Sequence, residues 1–180
     1  AAALARSQNI EWFAIEGALN NFSGVPGRVQ FVQKEPFAVV VDYAHTPDSL
    51  EKIYQTVRPE RLRPGWKGEL ICVLGACGGG RDKWKRPEMG RIAAQYCNKV
   101  ILTNEDPYDE DPAQILRDIE KGFDQATPRH LKVNGVFKVF DRQAALVKAI
   151  DLAQKGDVIV ATGKGSENWI HLSRGQKIPW

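Results

Sequence analysis

Leu70-Ile71-Cys72-Val73-Leu74 breaks off into Gly75-Ala76-Cys77-Gly78-Gly79-Gly80-Arg81-Asp82-Lys83, and a helical pattern follows. A short apolar run without polar alternation reads as a strand buried on both faces. Three further runs repeat the arrangement. Ala38-Val39-Val40-Val41 ends in Asp42-Tyr43-Ala44-His45-Thr46-Pro47-Asp48, Val100-Ile101-Leu102 in Thr103-Asn104-Glu105-Asp106-Pro107-Tyr108, and Val158-Ile159-Val160-Ala161 in Thr162-Gly163-Lys164-Gly165-Ser166-Glu167. Such strands alternating with helices predict a three-layer, Rossmann-like α/β fold, doubly wound around a mostly parallel sheet. Ligands of these sheets bind along the carboxyl ends of the strands. The four polar knots are therefore expected on one rim, although they are scattered in sequence.

The helical segments follow from local signals. Pro47 is placed for the first turn of a helix that carries Leu50, Ile53, Tyr54 and Val57 inward and stops near Pro59. A second helix is expected from about Pro87, with Met89, Ile92, Ala93 and Tyr96 on its buried face. Asp111-Pro112 reads as an N-cap and first-turn proline ahead of Ile115, Leu116 and Ile119, with Gly122 as the stop. Phe137 to Phe140 predicts a short strand, Asp141 caps a helix over Ala144 to Ala153, and Val158 to Ala161 is the last strand. Upstream, Ala1 to Leu19 has helical composition, Asn20 to Gly27 reads as a turn and Val29 to Val32 as a short strand. The chain opens mid-helix, which predicts a piece of something longer or an N-terminal helix packed on the domain.

Bulk properties narrow the function class. With 180 residues, 43% hydrophobic and 26% charged, the chain has the composition of an ordinary globular domain with one core. A net charge of +3 without a run of Lys or Arg gives no case for nucleic acid or a membrane surface. No apolar stretch has the length of a membrane span and no leader pattern opens the chain, so a cytoplasmic protein is expected. Cys72, Cys77 and Cys97 are odd in number and lack CxxC spacing, and reduced structural thiols are expected rather than metal ligands or a disulfide.

The knots offer several chemistries. A glycine turn between strand and helix can cradle an anion with backbone N–H groups. Gly75 and Gly80 have the separation of a P-loop, but Arg81-Asp82 stands where Lys-Ser/Thr is required. Gly163-Lys164-Gly165-Ser166 fails as well, because Val158 holds the place of the first glycine. Neither loop makes a complete nucleoside triphosphate site. Asp42 is suited to sugar hydroxyls, and His45 to a phosphate or to capping the next helix. Glu105, Asp106, Asp109, Glu110 and Asp111 could serve magnesium, or merely solvate a turn and favour a helix N-terminus.

Taken together, these segments resemble the C-terminal domain of the Mur ligase family, and within it the MurE type, the UDP-N-acetylmuramoyl-tripeptide synthetases. The resemblance rests on Val25-Pro26-Gly27-Arg28, the string Asp42 to Asp48, Gly78 to Pro87, Glu105-Asp106-Pro107-Tyr108 followed by Glu110-Asp111-Pro112, Asp141-Arg142, and Gly163 to Glu167. It implies that residues 25–180 are the Mur ligase C-terminal domain and residues 1–24 the tail of a preceding central ATPase domain. It implies a ligase of peptidoglycan synthesis that uses ATP to turn a carboxylate into an acyl phosphate for attack by an amino acid. ATP and Mg2+ would be bound mainly by preceding N-terminal and central domains, and the UDP-N-acetylmuramoyl-dipeptide would be held there too. No metal site is expected in this chain, and no complete catalytic set. By the resemblance, Arg28, Asp42, His45 and Thr46 lie at the ATP, while Arg81, Asp106, Tyr108, Gly163 and Glu167, with Lys164 as a further candidate, lie at the incoming amino acid. Folylpolyglutamate and cyanophycin synthetases share the domain, and a non-catalytic metabolite-binding module is the alternative from another class.

The departures bear on specificity. Members that add meso-diaminopimelate carry Asp-Asn-Pro-Arg, whose arginine clamps the distal carboxylate, where this chain has Glu105-Asp106-Pro107-Tyr108. Losing one partner of such a pair costs about 2 to 5 kcal/mol. With Asp106 and Glu167 placed around a distal ammonium, a diamine such as L-lysine or L-ornithine is expected to be favoured over meso-diaminopimelate. Gly80, Trp84 and Ser166 also differ from the family pattern.

Overall fold

The computed structural model describes residues 1–80, 82–126 and 133–180. Its main sheet is formed by β1 (Gln30–Gln33), β2 (Ala38–Val41), β3 (Leu70–Leu74), β4 (Lys99–Leu102), β5 (Gly135–Lys138) and β6 (Val158–Ala161) in the spatial order β1-β2-β6-β3-β4-β5. The last five are parallel, and β1 pairs antiparallel with β2. β3 and β6 lie at the centre and are buried along their whole length, which is why their sequences are apolar without alternation. At the edge, β5 alternates between half-buried and exposed positions.

Helices cover both faces. Before the sheet come α1 (Ala2–Ser7) and α2 (Trp12–Asn20); then follow α3 (Pro47–Thr56), the single turn α4 (Pro59–Leu62), α5 (Lys85–Tyr96), α6 (Pro112–Gln125) and α7 (Arg142–Leu152). Three of them start as the sequence specifies. Thr46 caps α3 in a reciprocal box with Ser49, Asp111 accepts from the Ala113 N–H at the start of α6, and Asp141 accepts from the Ala144 N–H at the start of α7. Leu70, Cys72 and Leu74 face α3, α5 and α6, where Leu50, Tyr54, Met89, Ile92, Ile115 and Ile119 complete the larger core. Ile71 and Val73 face α7 through Ala145 and Ala149 in a smaller one. Among the described residues no helix is long and apolar enough to cross a membrane.

Several expectations are corrected. The N-terminal helix is two helices, separated where Asn9 takes a positive φ of 61°. Gly122 does not stop α6. It lies inside the helix because a side chain there would overlap the Pro87 carbonyl of α5, and Gly90 of α5 is pressed in the same way against the Ile119 carbonyl. The strand expected at Phe137 starts two residues earlier, since Lys99 of β4 pairs with Gly135. A second sheet, the hairpin β7 (Trp169–His171) and β8 (Lys177–Pro179), follows the strand read as the last. Cys72 and Cys97 form a disulfide instead of remaining thiols, because α5 ends beside β3 and brings their Cα atoms to 6.1 Å. Cys77 stays free.

Candidate functional site

The carboxyl ends of β2, β6, β3 and β4 leave the sheet on one edge, and antiparallel β1 enters from the same edge because Gln30 pairs with Val41. Here the turn before β1 meets the loop after β6. The backbones of Gly27 and Gly165 touch, so that a side chain on Gly27 would overlap the Gly165 main chain. Tyr43 packs against Gly165, and the Arg28 guanidinium lies 4.3 Å over the Tyr43 ring. Burial, followed by the charge and hydrogen bond of Glu167, raises the Tyr43 pKa. Glu167 also accepts from the Gly165 N–H at 3.1 Å. Arg28 and Glu167 therefore meet at one tyrosine.

The remaining residues expected at the nucleotide side build this arm. Asp42 accepts from the N–H groups of Val29 and Ala44, both at 2.8 Å, and so ties the turn before β1 to the loop after β2. Thr46 is the N-cap of α3. His45 does not cap the helix; its Nδ1 is 2.9 Å from the Tyr43 carbonyl and its ring meets the Tyr43 ring edge-on at 4.7 Å.

On the other side, the loops after β4 and β6 are bolted together. Buried Arg142 holds the carbonyls of Asn104 at 3.1 Å and Thr162 at 2.7 Å, and desolvation lowers its pKa to about 10. Lys164, 1% exposed, donates to Asp106 at 2.7 Å and to the Trp169 carbonyl at 2.9 Å. The second Asp106 oxygen accepts from the His171 N–H at 2.8 Å. The ammonium partner expected for Asp106 is thus supplied by the protein's own Lys164. Tyr108 takes a positive φ of 50° and stacks on the His171 ring.

Glu105 stands apart. It is 5% exposed, and its Oε2 has no hydrogen-bond partner among the described residues. Gly163, at φ 92°, lies against it so closely that a side chain would overlap the carboxylate. Desolvation raises the Glu105 pKa, and the neighbouring Arg142 offsets only part of that.

The glycine turn after β3 does cradle an anion, but one belonging to the protein. Glu110 accepts from the Gly80 N–H at 2.6 Å, from both terminal nitrogens of Arg86 at 3.0 Å, and pairs with Lys83 at 3.2 Å. Arg86 is fully buried and also reaches Asp118 and the Cys77 carbonyl, both at 3.2 Å. The acidic loop is engaged in similar ways, Asp109 accepting from the Arg174 N–H and Asp111 capping α6. Among the described residues no group of three or more His, Cys, Asp or Glu side chains is arranged to hold a metal ion. Arg81 lies outside the described residues.

The structure thus brings Arg28, Asp42, His45, Gly163, Lys164, Asp106, Tyr108 and Glu167 to one edge. Sequence reasoning missed Tyr43, Glu105, Arg142 and His171 as parts of it. Arg142 directly follows the Asp141 cap and Glu105 precedes Asp106, so both were in view. Nothing near Trp169 announced a hairpin that returns to the rim.

A family model described as Mur ligase, glutamate ligase domain, matches residues 27–165. The chain is 43% identical over 170 residues to the UDP-N-acetylmuramoyl-L-alanyl-D-glutamate–2,6-diaminopimelate ligase of Syntrophomonas wolfei, a match covering 94% of this chain and 32% of that protein. It is 48% identical over 151 residues to the protein of the same name from Synechococcus elongatus, covering 83% of this chain and 28% of that one. A solved structure of a ligase of that name superposes with a TM-score of 0.71 at 32% identity, covering 99% of this chain and 34% of the other. A folylpolyglutamate synthase from Thermotoga maritima shares the fold, with a TM-score of 0.57 at 21% identity over 86% of this chain and 31% of the other. The chain spans about a third of the length of the curated relatives it matches.

Proposed function

The chain belongs to the Mur ligase family, and on that premise we propose that it is the amino-acid-binding domain of an ATP-dependent ligase of peptidoglycan synthesis, which adds a diamino acid to a UDP-N-acetylmuramoyl-dipeptide. ATP supplies the phosphoryl group that activates the dipeptide carboxylate. The amine of the incoming amino acid then forms the new bond as phosphate leaves. ATP, its magnesium and the dipeptide are held mainly by preceding domains, in keeping with the engaged acidic loop and the missing P-loop of this chain. What this domain contributes is position and charge.

The observation that carries the reading is the contact of the Gly27 turn with the Gly165 loop, which brings Arg28 and Glu167 to the same tyrosine, Tyr43. Arg28 meets the ATP phosphates, and Asp42, His45 and Thr46 act through the arm they brace. Glu167, Gly163 and Arg81 hold the amino acid. Lys164 serves by neutralising Asp106, not by reaching the substrate.

For the distal end, the relatives' names speak of 2,6-diaminopimelate. Two features of this chain favour L-lysine or L-ornithine at neutral and alkaline pH. Position 108 offers a tyrosine to the second carboxylate, and Glu167 has no ion pair among the described residues. Phosphate release by the full-length protein, given ATP, the dipeptide precursor and competing amino acids, tests both levels. Release that needs no amino acid would refute the ligase, and preference for meso-diaminopimelate at every pH would refute the diamine. The 180-residue chain alone is expected to release no phosphate.

A further inference from the structure

His171 sits in β7 and turns back onto the loop after β4. Its imidazole stacks on Tyr108 with centroids 5.4 Å apart and planes 16° apart. Its Nδ1 lies 3.4 Å from Asp106 Oδ1, the oxygen that also accepts its own backbone N–H, while its carbonyl accepts from the Tyr108 N–H at 3.2 Å. The side chain keeps 33% of its surface. It is fixed in place, with Nδ1 buried and a third of the side chain open to solvent.

Charge makes this placement informative. Asp106 and Lys164, 2.7 Å apart and both buried, cancel one another. With His171 neutral, this wall of the crevice carries no net charge. With His171 protonated, it carries one positive charge, on the member of the trio that solvent and ligand can reach. Histidine is the side chain that makes such a change between about pH 5 and 8. Among the described residues, buried Glu105 and Arg142 of opposite charge neighbour Asp106, and Asp109 on the Tyr108 loop, Arg174 in the hairpin turn and Lys177 opposite His171 in β8 complete the surroundings. The last three are exposed, so solvent screens them.

We propose that His171 is a specificity-determining residue that reads the distal end of the incoming amino acid. Protonated, it attracts a distal carboxylate at the place where Tyr108 supplies no charge; neutral, it gives that carboxylate no countercharge and leaves a diamine, whose far end bears only an ammonium, at an advantage. The proposal rests on the ligase reading and adds the group that decides between its substrates.

The test is the ratio of KM for meso-diaminopimelate to KM for L-lysine, measured with the full-length protein from pH 6 to pH 8.5. In the wild type the ratio is expected to rise about fivefold, the size of a partly exposed ion pair. His171→Gln should hold the ratio at its high value across the range, and His171→Lys at its low value. An unchanged KM for the dipeptide precursor in both variants shows that the fold is intact. If His171→Gln keeps the wild-type pH dependence, the proposal is overturned while the ligase stands. If no amino acid supports phosphate release, both fall.

Discussion

Glu110 and Glu105 lie five residues apart at the same edge of the sheet, each under a glycine-rich loop, and the protein treats them in opposite ways. Glu110 is met by the Gly80 N–H, by both arms of Arg86 and by Lys83. Burial alone would raise its pKa, but those hydrogen bonds outweigh it and hold the carboxyl below the usual range. Glu105 has no such partner among the described residues, and burial raises its pKa. One carboxylate builds the loop after β3. The other lies beneath the loop after β6, its Oε2 without a hydrogen-bond partner among the described residues.

The contrast can be broken most severely through Arg86. Arg86→Ala removes the partner of two largely buried carboxylates and should cost about 3 to 5 kcal/mol, read as a lower urea midpoint with unchanged slope. Gly163→Ala forces a side chain against Glu105 at a positive φ and should cost about 3 kcal/mol, with a raised KM for the amino acid. Replacing each glutamate by glutamine sharpens the comparison through pH. Glu110, with a lowered folded pKa, contributes stability above the unfolded carboxyl range near pH 4 and loses it as pH falls through the folded value. Glu110→Gln should therefore flatten the acid limb of the unfolding curve. Glu105, with a raised folded pKa, binds more protons folded than unfolded, so it costs stability as pH rises from about 4 toward that value. Glu105→Gln should be more stable than the wild type at neutral pH. The smallest effect belongs to Gly80→Ala, where φ is 78° but the space is open, at about 1 kcal/mol.

The two loops also show what the sequence made legible. Strand centres could be read because burial on both faces forces uninterrupted apolar runs, and Leu70–Leu74 and Val158–Ala161 appear at their predicted bounds. Helix starts could be read because Pro47 suits a first turn and Asp111 and Asp141 act within three residues of themselves, whereas the cap at Thr46 was sought one residue early, at His45. Gly122 was misread because a glycine that ends a helix and one that admits a neighbouring backbone look alike in one dimension. The same holds for the carboxylates. Asp106 and Glu105 are adjacent and chemically similar, and what separates them is the approach of Lys164 and of the His171 N–H, 58 and 65 residues away, to Asp106. His171 was invisible for a related reason, since a three-residue strand in a short hairpin has too little pattern to register.

The glycine contacts between α5 and α6 have a mechanical consequence. Where Gly90 meets the Ile119 carbonyl and Gly122 meets Pro87, main chain rests on main chain with no side chain between to act as a bearing. The pair cannot slide and behaves as one beam. Arg86 at the start of α5 and Glu110 and Asp111 at the start of α6 are both carried by this beam, and the Arg86–Glu110 contact ties the two loops to each other at fixed spacing.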